Sequence, residues 1–140
     1  MIAGPITDNA KLRLARFDFK QVGDGDAGST IDLVKIGPGR VLVIPALSYI
    51  TGTAFTAGAT LDIGHTGYTA LDGTAVAAAP AVIASALAVS SGFDTRLGTG
   101  GAAVGVPIES KDGVLVQAAT DTAGIPDGAT VSGWIAYVRD

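Results

Sequence analysis

The chain has 140 residues, a formal net charge of −4 and no cysteine; 48% of it is hydrophobic, only 16% charged, and glycine occurs 20 times. Without cysteine there are no disulfides, no thiolate nucleophile and no Cys-ligated zinc. The scattered Lys and Arg offer no dense basic patch of the kind that displaces counterions from phosphate, so nucleic acid is not an expected partner. The longest apolar run, "VAAAPAVIASALAV" at 76–89, contains Pro80 and falls short of the roughly 20 residues that span a bilayer as a helix, and the start lacks a basic and then apolar leader pattern.

Length fits one domain. The glycine content is about double the usual share of roughly 7%, and turn signals such as "VGDGDAGS", "IGPG", "TAG", "GHTG", "LDG", "KDG" and "IPDG" punctuate the whole chain. Short β-favouring segments between them are the signature of a sandwich or barrel. "KLRLARFDFK" (11–20) alternates, with Leu12 and Leu14 on one parity and Phe17 and Phe19 on the other, which predicts a phase slip near Ala15 or Arg16. "STIDLVKI" (29–36) is a second strand. "RVLVIPALSYI" (40–50) is apolar on both parities and reads as a central strand covered on both faces, with a bend at Pro45. "ATLDIG" (59–64) points Leu61 and Ile63 inward and Asp62 outward. Pro80 suits the first turn of a helix and could begin one through "AVIASAL", so at most one short helix, near 80–87, is expected. "VPIESKDG" and "VLVQAATDT" follow. "IPDG" reads as a hairpin turn pairing 114–120 with 129–138, where Val131, Ile135 and Tyr137 share one parity and Trp134 and Val138 the other.

The one histidine, His65, stands in "LDIGHTGYTALDG" (61–73) with Asp62, Tyr68 and Asp72 nearby. A metal site needs three or four converging ligands, and a Ser-His-Asp relay needs a serine in place. Ser48, Ser85, Ser90 and Ser91 exist, but none sits in a nucleophile-elbow pattern. The stretch therefore reads as a solvent-exposed turn. "GDGDAGS" (23–29) places Asp24 and Asp26 two apart like a calcium loop, yet Gly28 and Lys35 occupy the positions that should supply further oxygens, so it reads as a polar turn. "GTGGAA" (98–103) has Gly98, Gly100 and Ala103 at dinucleotide-fingerprint spacing, with Asp121 at the acidic offset, but Pro107 follows where a helix is required. The single glutamate, Glu109, leaves no carboxylate pair for glycosidase chemistry. Lys11, Arg13, Arg16 and Lys20 form the one basic concentration, either a solvated strand face or a docking site for an acidic protein surface. No cofactor or metal is expected.

"ATLDIGHTGYTALDGTAVAAAPAVIASALAVSSG" and "PIESKDGVLVQAATDTAGIPDGATVSGWIAYV" resemble small structural proteins encoded near capsid genes in tailed bacteriophages, the head decoration or cement proteins. The likeness covers roughly the C-terminal two-thirds and lies in pattern: a "TLDIG"-like strand, a variable loop and a final glycine-interrupted strand. The Ala-rich 75–88 departs from it, being more acidic in relatives. The resemblance implies a β-sandwich that decorates the head, commonly as a trimer, without catalytic residues.

The expectation is therefore an all-β, antiparallel, jelly-roll-like sandwich of about eight strands over 11–140, preceded by an arm at 1–10. The resemblance implies a non-enzymatic virion structural protein, made in the host cytoplasm and placed on the capsid exterior. Its expected partners are the major capsid protein and its own copies as a homotrimer, with neither nucleic acid nor membrane. Ile2, Ile6, Lys11, Arg13 and Arg16 are the expected capsid or subunit contacts. The alternatives are a tail or head-fibre subunit and a carbohydrate-binding module. The latter needs aromatics on one sheet face, hard to supply from one Trp, three Tyr and four Phe when the core needs several.

Overall fold

The computed structural model describes residues 11–97 and 105–139. Its strands are β1 (Lys11–Lys20), β2 (Thr30–Ile36), β3 (Gly39–Val43), β4 (Tyr49–Gly52), β5 (Thr60–His65), β6 (Tyr68–Thr69), β7 (Ala75–Val76), β8 (Ala79–Ala88), β9 (Phe93–Arg96), β10 (Val106–Ser110), β11 (Val114–Asp121) and β12 (Thr130–Arg139). Among the described residues the one helical element is a 3-10 turn at Pro45–Leu47.

In the first sheet β12 is central. One of its edges pairs with β1 along its whole length; the other is shared by β3 and β4, which in turn pair with β10 and β9. The second sheet runs β2-β11-β5-β8, and every pairing is antiparallel. If β3 with β4, and β9 with β10, are counted as single positions, each sheet holds four. The chain visits them in the order first, second, first, second, second, first, second, first sheet, which is the jelly-roll winding. The expected all-β jelly-roll sandwich is what forms. Alternation fills its core: Val43, Ile50, Val131 and Ile135 from one sheet meet Leu61, Ile63, Ile83 and Val116 from the other, all at 0% exposure.

Four local expectations are corrected. Residues 80–87 are strand, not helix. Their alanines favour helix intrinsically, but Val82 and Ile83 suit a pleat, and β8 lies at a sheet edge where Pro80 forfeits no ladder bond that the fold needs. The β5–β8 register shifts twice, and at this irregularity Ala86 takes a left-handed φ of 53° while its N–H donates to Asp62 Oδ1 at 2.7 Å. Nearby, a Cβ on Gly64 would lie 1.9 Å from the Ala79 carbonyl oxygen, so only glycine lets these strands approach.

Secondly, 114–120 and 129–138 do not form a hairpin: β11 pairs with β2 and β5, β12 with β1, β3 and β4. The "IPDG" turn exists, with Gly128 at φ 81°, but it serves a crossing between sheets that is clamped to the 21–29 loop. There Gly23 N–H donates to Asp127 Oδ1 at 2.8 Å, and Asp127 N–H donates to Asp24 Oδ1 at 2.9 Å. Thirdly, the β1–β12 register is unbroken from Lys11↔Arg139 to Lys20↔Thr130, so there is no phase slip; Leu12 and Leu14 simply face outward. Fourthly, 40–50 is central and bends at Pro45 as expected, but it is not covered on both faces: its outward face is open, with Leu42 and Leu47 42% and 44% exposed. Ser48 holds the bend together, its Oγ donating to the Ile44 carbonyl at 3.0 Å and accepting from the Ala136 N–H at 2.9 Å.

Candidate functional site

Strand parity sorts the first sheet into an inner and an outer set. Phe17, Ile50, Val131 and Ile135 go inward, so Leu12, Leu14, Arg16 and Asp18 of β1, Tyr49 and Thr51 of β4, and Ser132, Trp134 and Val138 of β12 go outward. Register then lines these residues up in rows across the sheet. One row reads Leu12–Val138–Leu42–Pro107. A second reads Arg16–Trp134–Tyr49–Arg96. The third reads Asp18–Ser132–Thr51–Asp94. The face thus passes from an apolar band, through a row of two aromatics flanked by cations, to a row of hydroxyls flanked by carboxylates.

The apolar band is large. Leu12, Leu14, Leu42 and Leu47 are 53%, 46%, 42% and 44% exposed, and they are four of the six large hydrophobic side chains exposed among the described residues. Clustered exposure of this kind marks an interaction surface, whereas single exposed leucines are ordinary.

The aromatic row is fixed in place. Trp134 and Tyr49 stack with ring centroids 4.8 Å apart and planes tilted by 31°. Trp134 Nε1–H donates to the Leu47 carbonyl at 2.9 Å, and the Tyr49 hydroxyl donates to Asp94 Oδ1. That carboxylate, accepting the phenolic proton, holds Tyr49 above the ordinary tyrosine value, with desolvation adding in the same direction. Gly133, between Trp134 and Ser132, has φ 151°, and a Cβ there would lie 2.0 Å from the Tyr49 carbonyl oxygen; the close β12–β4 approach that stacks the rings requires it to be glycine. Two open grooves flank the ring pair. One, of about 550 Å³, lies on the β9 side against Asp94, Thr95 and Arg96; the other, of about 480 Å³, lies on the β1 side against Arg16, Asp18 and Ser132. An outward aromatic pair therefore exists, against the expectation that the core would consume the rings. The outward parity of Trp134 was its sequence signal; that Tyr49 and Arg16 stand beside it depends on pairings far apart in the chain.

The other candidates disperse. Lys11, Arg13, Arg16 and Lys20 are all exposed, but β1 puts Arg16 and Lys20 on the outer face and Lys11 and Arg13 on the opposite parity, so they form two pairs and not one patch. Ile2 and Ile6, with the whole proposed arm at 1–10, and the "GTGGAA" segment lie outside the described residues.

His65 is not in an exposed turn. It ends β5, is 7% exposed, faces Val116 and Ala79 across the ladder, and meets Tyr68 edge-on at 5.3 Å. Its Nδ1 lies 2.8 Å from the Thr66 carbonyl oxygen. The segment expected as a loose turn is instead the β6–β7 ribbon. Asp72, at the tip of this ribbon, accepts from Thr74 N–H at 2.9 Å, which lowers its pKa. Ser48 is committed to the Pro45 turn; Ser85, Ser90 and Ser91 are exposed. Asp24 binds the Asp127 backbone, as described above. Among the described residues no three His, Asp or Glu side chains converge as a metal site.

No protein-family model matches this chain, and no curated protein does. Solved structures do. The VP2 subviral particle of infectious bursal disease virus matches with TM-score 0.59 at 18% identity over 99% of this chain and 36% of that one. The D431N mutant VP2 of the same virus gives 0.60 at 15% identity over 99% and 36%. This chain thus spans about a third of the length of those viral proteins. A chain of the cyanophage Pam1 capsid asymmetric unit matches with TM-score 0.58 at 12% identity over 100% of this chain and 93% of that one. The protein shares its jelly-roll fold with these components of viral particles.

Proposed function

We propose that the protein is a virion structural protein that decorates or cements the outer surface of a bacteriophage capsid through protein–protein contacts, without catalysis. The observation that carries this reading is the outward apolar band of the first sheet, Leu12, Leu14, Leu42 and Leu47, on a sandwich whose opposite sheet has no such exposure. The cyanophage Pam1 match supports it, because there the fold is one near-complete chain of a phage capsid unit and not a portion of a much larger protein. The partners in this reading are the major capsid protein and further copies of the chain as a homotrimer, seated on the band. Ile2 and Ile6 add anchoring from residues 1–10, and Lys11, Arg13 and Arg16 orient the encounter more than they add affinity.

The test uses heads of the source phage purified without the protein. The isolated chain should co-sediment with them and raise the temperature at which they disrupt, and particle reconstruction should show threefold clusters. Deletion of residues 1–9 should weaken attachment while leaving the melting temperature of the free chain unchanged. Heads that neither bind the protein nor gain stability from it would overturn the proposal.

A further inference from the structure

We infer that the aromatic and hydroxyl–carboxylate rows of the first sheet form a binding platform for neutral, hexopyranose-based glycans. A sugar ring offers an apolar C–H face and a rim of hydroxyls, each both donor and acceptor. Its receptor therefore needs an aromatic wall with charged or polar groups at the ring's edge. The β1-side groove has these parts: the Trp134 ring as wall, Arg16 as donor, Asp18 as acceptor and Ser132 as either. Across the stack the parts recur, with Tyr49 as the wall and Asp94 beside it. The two grooves share one ridge, so neighbouring sugar units of a chain can engage both.

Three observations favour this ligand over others. The rows balance, with Arg16 and Arg96 against Asp18 and Asp94, and a carboxylate beside each guanidinium repels polyanions such as nucleic acid or acidic polysaccharide. The rings are locked by the Leu47 carbonyl and by Asp94, so little side-chain freedom is lost when a sugar stacks on them. The Arg16 and Asp18 side chains make no hydrogen bond or ion pair among the described residues, which leaves the edge groups of the β1-side groove open for hydroxyls. Charge-assisted hydrogen bonds from such groups are the strong ones. The inference does not depend on capsid attachment.

Trp134 is the chain's one tryptophan, so its fluorescence reports on the platform directly. The intact protein is titrated with soluble neutral oligosaccharides of glucose, mannose, galactose and N-acetylglucosamine, with polygalacturonate as the anionic comparison. At least one neutral series should shift or quench the emission saturably at millimolar concentration or below, and polygalacturonate should not. Arg16→Ala and Asp18→Ala, both exposed and so compatible with folding, should each weaken that binding by about tenfold or more. Trp134→Phe should retain binding by gel retardation better than Trp134→Ala. If all four neutral series leave the emission unchanged, the inference is overturned. It is equally overturned if these variants bind glycan like the parent, or if they lose only attachment to heads, which would assign the rows to the protein interface.

Discussion

The two outward faces of the sandwich have the same architecture and opposite chemistry. On the second sheet the outward rows read Asp32–Gln117–Gly64 and Thr30–Ala119–Asp62. Its polar groups satisfy one another: Gln117 Nε2 donates to Asp32 at 2.7 Å, and Asp62 caps the irregularity at Ala86. None of the exposed large hydrophobics lies on it. The first sheet leaves four leucines and an aromatic row open. A face that meets only water is built of small and self-paired side chains, so the other face tells where the molecule meets something else.

The largest effect should come from placing charge in the apolar band. Leu12→Asp with Leu42→Asp should weaken attachment to heads about a hundredfold or more, since buried interface anchors contribute roughly 2 kcal/mol or more each. Binding isotherms on purified heads measure this, and the melting temperature of the free chain should barely move. Equal attachment by the variant would erase the distinction between the faces.

His65→Ala belongs to the quiet sheet and should act on stability alone. The imidazole is 7% exposed and packs on Tyr68, so its removal should cost about 1–3 kcal/mol. Urea unfolding would show it as a lower midpoint at unchanged slope. A loss under about 0.5 kcal/mol would mean that this end of β5 behaves as surface.

Smaller still, Asp32→Ala with Gln117→Ala removes one exposed hydrogen bond from the second sheet and should shift stability by no more than about 0.5 kcal/mol, with attachment intact. Loss of head binding in that variant would move the interface to the wrong side of the sandwich.

The smallest effect is a pH dependence confined to the first sheet. Tyr49 is held above its ordinary value by Asp94, so the neutral phenol is the form that the fold favours. Its contribution is therefore complete below the ordinary tyrosine range and is lost as pH rises through the raised value. Tyr49→Phe should flatten this alkaline arm of the stability curve, and identical curves for the two proteins would show that the Asp94 contact carries nothing.

What the sequence disclosed follows from the range of the interactions involved. Turn residues and period-two alternation are local, so the all-β class, the strand at "TLDIG" with Asp62 outward, and the central place of 40–50 were all readable. The stretch at 80–87 misled because alanine's helix preference is local while β8's pairing with β5 is not. "IPDG" misled because a good turn sequence does not say which sheet receives the next strand. His65 misled because its flanking glycines look like a loop, while its burial comes from Val116, Ala79 and Tyr68 on other elements. The candidate site was half legible: Trp134 stood on the parity opposite Val131 and Ile135, but the two residues that flank it in the row, Arg16 and Tyr49, come from β1 and β4, near the other end of the chain.

The full-length pairing of β1 with β12 also sets how the domain answers to force. Lys11 lies beside Arg139, so both ends of the described sandwich leave from the same corner, on adjacent antiparallel strands. Tension applied through those ends pulls the two strands apart like a zipper, loading the cross-strand hydrogen bonds one pair after another instead of all together in shear. A protein held to its support by both ends would peel at low load. Held by the outward apolar band of the same sheet, it would spread the load over β1, β12, β3 and β10, and the swelling of a particle beneath it would strain the seat before it opened the fold.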